Sequence, residues 1–191
     1  MGLKPMSSGF RAFSTADQPN DGALLYFVHF QDDFTPPFGF DVMGEYDPAT
    51  SHFTAKQDGV YSVLAQIAFS PDQTLNPTNY VAIVFIFLND EFLIAIDLED
   101  VPAALYNVTA FVSASAIVQL NAGDSLSVRF GTAAQDTFEG VEGMIIGDPS
   151  FTHFEAARFP SPLMNDRPAS PIAPAVKGTF SETVLKKILK R

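Results

Sequence analysis

The chain has 191 residues and a formal net charge of −11, with 19 Phe, 14 Pro, 12 Gly and neither Cys nor Trp. Phosphate binding needs concentrated Lys and Arg, so this acid excess excludes nucleic acid as an expected partner. Without cysteine there is no disulfide framework, no thiol nucleophile and no thiolate metal site. Arg11 to Thr15 reads as a short first strand, and Leu24 to Phe30 is apolar enough to be a largely buried one. Phe53 and Thr54 lead through a turn at Gly59 into the clearest strand. There Tyr61, Val63, Ala65, Ile67 and Phe69 share one face, and Ser62, Leu64, Gln66 and Ala68 the other. Val81 to Leu88 is a continuous apolar run that reads as a core strand covered on both faces. It offers more apolar surface than one sandwich core needs, which points to self-association. The run ends at an Asn89-Asp90 turn, and Phe92 to Asp97 follows as its hairpin partner.

Farther on, Ser113 and Ser115 alternate with Ala114, Ala116 and Val118 between Val112 and Leu120. After a turn at Asn121 to Asp124, Leu126, Val128 and Phe130 alternate with Ser125, Ser127 and Arg129. A last strand spans Phe151 to Phe159. Strands divided by Gly, Asn, Asp and Pro clusters, with no convincing internal helix, predict an all-β sandwich or jelly roll. At this length the chain holds one domain plus a tail and buries roughly 70% of its unfolded surface.

Charge divides the chain at Phe159/Pro160. Residues 160–191 carry six Lys and Arg against two Asp and Glu, net +4, which leaves −15 for the rest. They also hold Pro160, Pro162, Pro168, Pro171 and Pro174, a density that favours extended chain. The expected organisation is a lead over 1–9, a head over 10–159 and an arm over 160–191. Thr179 and Glu182 fit a capping box, and Phe180, Val184, Leu185, Ile188 and Leu189 then recur at helical spacing. So short an amphipathic helix is marginal alone and needs a surface on which to dock.

Little points to catalysis. His29, His52 and His153 lack metal-ligand spacing, no Ser lies in a Gly-x-Ser-x-Gly elbow, and Gly140 to Gly143 reads as a turn. Asp32, Asp33, Asp97, Glu99 and Asp100 supply the hard oxygens that calcium uses, although solvated acidic loops are the simpler account. No enzyme activity, no cofactor and no metal are expected beyond these calcium candidates. The first residues lack the apolar stretch of a secretory signal, and residues 81–88 are too short to span a bilayer, so no membrane partner is expected. Asn107 to Thr109 is a formal glycosylation sequon that matters only on a secretory route.

Several segments resemble a family in chain order. Phe53 to Tyr61 resembles the pattern Phe-Thr-Ala-Pro-x-x-Gly-Val-Tyr, with Tyr46 and Asp47 ahead of it. Leu120 to Val128, containing Gly123 and Asp124, resembles Leu-x-x-Gly-Asp-x-Val-x-Val, and Leu88-Asn89-Asp90 resembles a strand ending in Asn-Gly. Phe151 to Ala156 resembles a closing Ser-Ser-Phe-Ser-Gly strand around Phe154, with Glu155 and Ala156 departing from it. These are motifs of the globular heads of complement component one, subcomponent q, and of their tumour-necrosis-factor-like relatives. The resemblance covers roughly residues 10–159 and implies a ten-strand jelly roll forming a tight homotrimer, with Phe53, Gly59, Tyr61, Gly123, Asp124 and Phe154 as its signature. It also gives calcium a precedent, since some members hold it near the trimer axis. No collagen-like stalk is present, so the head would trimerise on its own.

The expected function is that of a non-catalytic trimeric structural protein that builds or decorates a larger particle. A viral capsid or a spore or cell surface layer is the setting, reached after cytoplasmic synthesis, with the arm docking on neighbouring subunits. The alternative is a soluble trimeric module that recognises a glycan, peptide or receptor.

Overall fold

The computed structural model describes residues 8–31 and 36–160. The arm, its expected docking residues Phe180, Val184, Leu185, Ile188 and Leu189, and the calcium candidates Asp32 and Asp33 lie outside the described residues. Among the described residues thirteen strands account for nearly all the secondary structure: β1 (Gly9–Phe13), β2 (Gln18–Asn20), β3 (Tyr26–Phe27), β4 (Phe40–Asp41), β5 (Tyr46–Asp47), β6 (His52–Thr54), β7 (Gly59–Pro71), β8 (Tyr80–Leu88), β9 (Phe92–Val101), β10 (Ala110–Leu120), β11 (Ser125–Ala134), β12 (Gly143–Ile145) and β13 (His153–Arg158). The one helical piece among the described residues is a 3-10 turn at Ala103–Leu105. The excess over the expected ten strands comes from pieces of two or three residues, such as β2, β4 and β5.

All pairings are antiparallel. The first sheet runs β2-β12-β7-β13-β1-β4, with β10 on the other side of β7, and the second runs β5-β6-β11-β8-β9, with β3 also on β11. Taking the principal strands in chain order as β1, β6, β7, β8, β9, β10, β11 and β13, the first sheet holds the first, third, sixth and eighth. The second sheet holds the rest. Chain-adjacent strands thus change sheet repeatedly, which is the connectivity of a jelly roll.

Alternation explains why the sheets close on each other. Tyr61, Val63, Ala65, Ile67 and Phe69 of β7 are all buried, as the period of two requires. Facing them, Tyr80, Ala82, Val84 and Ile86 of β8 and Leu126, Val128 and Phe130 of β11 complete the core. Phe10 joins the sheets, stacking on Tyr46 (5.1 Å) and Phe53 (4.9 Å) while meeting Phe154 edge-on (5.0 Å). Truncating one such ring costs about 3–5 kcal/mol.

The apolar run of β8 is covered on both faces within one chain. Its outward half, Val81, Ile83, Phe85 and Phe87, forms a second cluster closed by Leu24, Leu93 and Ile96. The run therefore leaves no surplus apolar face, and the inference of self-association from it is corrected. Leu93 and Ile96 flank the cluster from β9, and Leu24 comes from the segment expected as a strand over Leu24 to Phe30. Tyr26 and Phe27 pair with β11 and the Val28 N–H donates to the Val128 carbonyl, whereas Leu24 passes over β11 instead of extending the pairing. Gly131 permits the crossing: a Cβ at that position would lie 2.1 Å from the Leu24 carbonyl oxygen.

Candidate interaction faces

The signature residues take structural places. Phe53, Tyr61 and Phe154 are fully buried, and the Tyr61 hydroxyl donates to the Gln57 carbonyl at 2.8 Å. Gly123 has φ +97, a conformation that favours glycine, and its N–H donates to the Ala55 carbonyl. Asp124 ties three segments together: its carboxylate accepts from the Asn121 N–H (2.8 Å) and from Asn89 Nδ2 (3.1 Å), and its carbonyl from the Ala55 N–H. Gly59 opens β7 just after a bend at Lys56 and Gln57, and it does not adopt a positive φ. Its constraint is space, since a Cβ would lie 2.4 Å from Arg158 Nε, whose guanidinium donates twice to the Asp58 carbonyl.

The calcium candidates that are described do not converge. Asp97, Glu99 and Asp100 pair with Val84, Ala82 and Val81 along β9, so Glu99 and Asp100 point to opposite faces. Among the described residues no group of three or more His, Asp or Glu could hold a metal ion.

A polar cluster that the sequence did not announce lies beside the β8–β9 turn. Asn89 and Asp90 have φ of +53 and +54, the left-handed pair of a tight hairpin turn. The Asp90 carboxylate accepts from His52 Nε2 (2.9 Å), from Arg129 (2.9 Å) and from the Ser127 hydroxyl. The Arg129 guanidinium also lies 4.0 Å over the Phe27 ring. Partial burial pushes the Asp90 carboxyl up, but its bonds to Ser127, His52 and Arg129 outweigh that and hold it below the usual range. The Asp90 departure from Asn-Gly thus has a cause: a side chain here anchors three others. Its partners come from two distant strands, β6 and β11, and only the Asn89-Asp90 turn signal hinted at the place.

The two outer faces differ. On the first sheet, β7 and β10 run side by side from Gly59↔Leu120 to Phe69↔Ala110 and contain no Asp, Glu, Lys or Arg. Their outward residues include Ser62, Leu64, Ser113 and Ser115, with Ile117 72% and Phe111 47% exposed. Phe40, Ala157 and Phe159 continue this exposed patch on β4, β13 and the residue after it. The charges nearest its middle, Arg11 and Glu155, are paired with each other at 3.2 Å. An open face without charge on its two longest strands, in a strongly acidic chain, has the composition of an interface core.

Two concavities lie at the end of the sandwich where β7 finishes. One, of ≈ 300 Å³, is lined by Glu99, Asp100, Pro102, Leu105, Val108 and Phe111 among others. The second, of ≈ 640 Å³, includes Pro19, Asp21, Asp72, Glu142 and Met144. No helix among the described residues is long and apolar enough to cross a membrane.

No family model and no curated protein matches this chain. Among solved structures it is similar to the globular domain of zebrafish complement 1qA protein, at 14% identity and a TM-score of 0.47, over 78% of this chain and 94% of that one.

Proposed function

We propose that this chain is a non-catalytic structural unit that trimerises through the outer face of its first sheet and joins a larger particle, such as a virion or a spore or cell surface layer, by its C-terminal arm. The observation that carries the proposal is the open face of β7 and β10, which holds no charged side chain while the chain as a whole is at −11. Burying Leu64, Phe111 and Ile117 against a second copy gains about 25 cal/mol per Å² of apolar surface and strands no charge. The count of three comes from the motif resemblance around Phe53 to Tyr61 and Leu120 to Val128. A stable trimer of this kind buries about 2,000 Å² or more per interface.

Light scattering on the full-length protein tests the assembly. The parent should report three chains, and Leu64→Asp with Ile117→Asp should report one chain that still melts cooperatively. A parent that is monomeric at micromolar concentration ends the proposal. Removal of residues 161–191 separates building from ligand recognition: a structural unit keeps its trimer and loses incorporation into the particle, whereas a ligand-binding head loses neither.

A further inference from the structure

The two ends of the sandwich carry opposite features. β13 runs along β7 from Gln66 to Tyr61, so the chain leaves beside Val60, whose carbonyl accepts from the Phe159 N–H (2.9 Å). Lys56 and Arg158 lie at this exit end, engaged with the Met43 and Asp58 carbonyls. The other two described cations, Arg11 and Arg129, are paired with Glu155 and Asp90. At the far end, the last residues of β9 and the connections that follow β7 and β11 place Asp72, Glu99, Asp100, Asp136, Glu139 and Glu142 with no described Lys or Arg among them. Within that acidic end an apolar floor is open: Leu105 is 51% and Val108 53% exposed, beside Phe111, in the concavity between β9 and β10.

We propose that this acid-rimmed concavity is the seat for residues 179–191 of a neighbouring copy of the chain. The proposal rests on the arm-docking reading given above and names its receptor. Residues 179–191 carry Lys186, Lys187, Lys190 and Arg191 against Glu182, net +3, and the apolar Val184, Leu185, Ile188 and Leu189. An apolar stripe edged by cations complements an apolar floor edged by carboxylates. Direction, more than reach, favours a neighbour over the chain's own head. From Val60 to Phe69 the sandwich is about 30 Å long, and β13 points away from the acidic end. Residues 161–178 span about 55 Å if extended, and Pro162, Pro168, Pro171 and Pro174 favour a straight course over a reversal. An exit at one end and a seat at the other make a head-to-tail contact, which propagates from copy to copy.

The chain has no cysteine, so a designed disulfide is unambiguous. Full-length protein carrying Val108→Cys and Leu185→Cys is oxidised and run on a denaturing gel, beside a control pair with Val42→Cys, an exposed site near the exit end. The expected result is linked species of two or more chains, formed at least about tenfold faster than in the control because docking raises the local concentration of the two thiols. Adding Glu99→Lys and Asp100→Lys should slow linking about tenfold. Links confined to single chains, equal rates with the control, or faster linking to Ile117→Cys on the first-sheet face each overturn the seat. Light scattering on the reduced protein keeps the two ideas apart. Three chains without a Val108 link removes the seat alone, and a monomeric parent removes the assembly on which it rests.

Discussion

The outer faces of the two sheets solve the same problem in opposite ways. Behind the second sheet, Val81, Ile83, Phe85 and Phe87 are closed off by Leu24, Leu93 and Ile96 of the same chain, while Asp90 anchors His52 and Arg129 beside the turn. Behind the first, β7 and β10 show Ser, Leu, Phe and Ile to the outside, and the loop before β13 leans over one end of them, where Phe151 meets the Phe111 ring and Gln66 donates to the Ser150 and Phe151 carbonyls. The strand that looked most in need of a partner finds its cover within the subunit. The strands with ordinary alternation are the ones left open. Hydrophobicity of a strand therefore does not by itself mark an open face here, because the most apolar strand is covered and strands of ordinary alternation are exposed.

The sharpest way to break this comparison is to truncate one aromatic on each face. Phe85→Ala should lower subunit stability by about 3–5 kcal/mol, because the ring is fully buried in the covered cluster. Ile117→Ala, at an exposed site, should change the subunit fold by less than about 0.5 kcal/mol while weakening trimer association. Urea unfolding of both variants with dilution light scattering checks this. Equal losses of fold stability would mean that the faces are not distinguished as described.

A pH titration tests the first sheet next. His153, opposite Gln66 on β13, is 9% exposed, its Nδ1 has no partner, and burial, aided by the Arg11 charge, pushes its pKa down to about 4. The unfolded imidazole binds its proton near 6.5, before the folded one does, so stability falls as pH drops from about 6.5 towards 4. The loss amounts to about 3 kcal/mol. His153→Gln should flatten that part of the profile. Parallel profiles for parent and variant would remove His153 as its source.

Smaller effects sharpen the account of the second sheet. Gly131→Ala sets a methyl against the Leu24 backbone and should cost about 1–3 kcal/mol, the range for overpacking. Faster amide exchange over residues 24–30 should accompany it, and unchanged exchange would mean that the crossing segment does not depend on this glycine. Asp90→Ala leaves the half-buried Arg129 without its carboxylate and should cost about 1–2 kcal/mol, allowing for the exposure of the pair. Asp90→Gly relieves the positive φ but loses the same bonds, so it should recover only part of that loss. Full recovery in the glycine variant would show that the turn conformation matters and the side-chain anchor does not.

Much of the head was legible along the chain. The alternation of Tyr61 to Phe69 and the Asn89-Asp90 and Asn121 to Asp124 turns follow from period and turn chemistry, which are local properties, while the buried places of Phe53 and Phe154 were indicated by the motif resemblance. The short strands β2, β4, β5 and β12 escaped notice because two or three residues carry no period. Tertiary structure alone decided the rest. That Leu24 could pass over β11 depended on the missing Cβ of Gly131, more than a hundred residues away. The meeting of His52, Asp90, Ser127 and Arg129 depended on strand register, and so did the gathering of acids at the end away from the chain's exit. Local sequence selects strands and turns through backbone sterics and burial period. Which faces are then covered, and which charges become neighbours, is set by contacts between segments that no local pattern encodes.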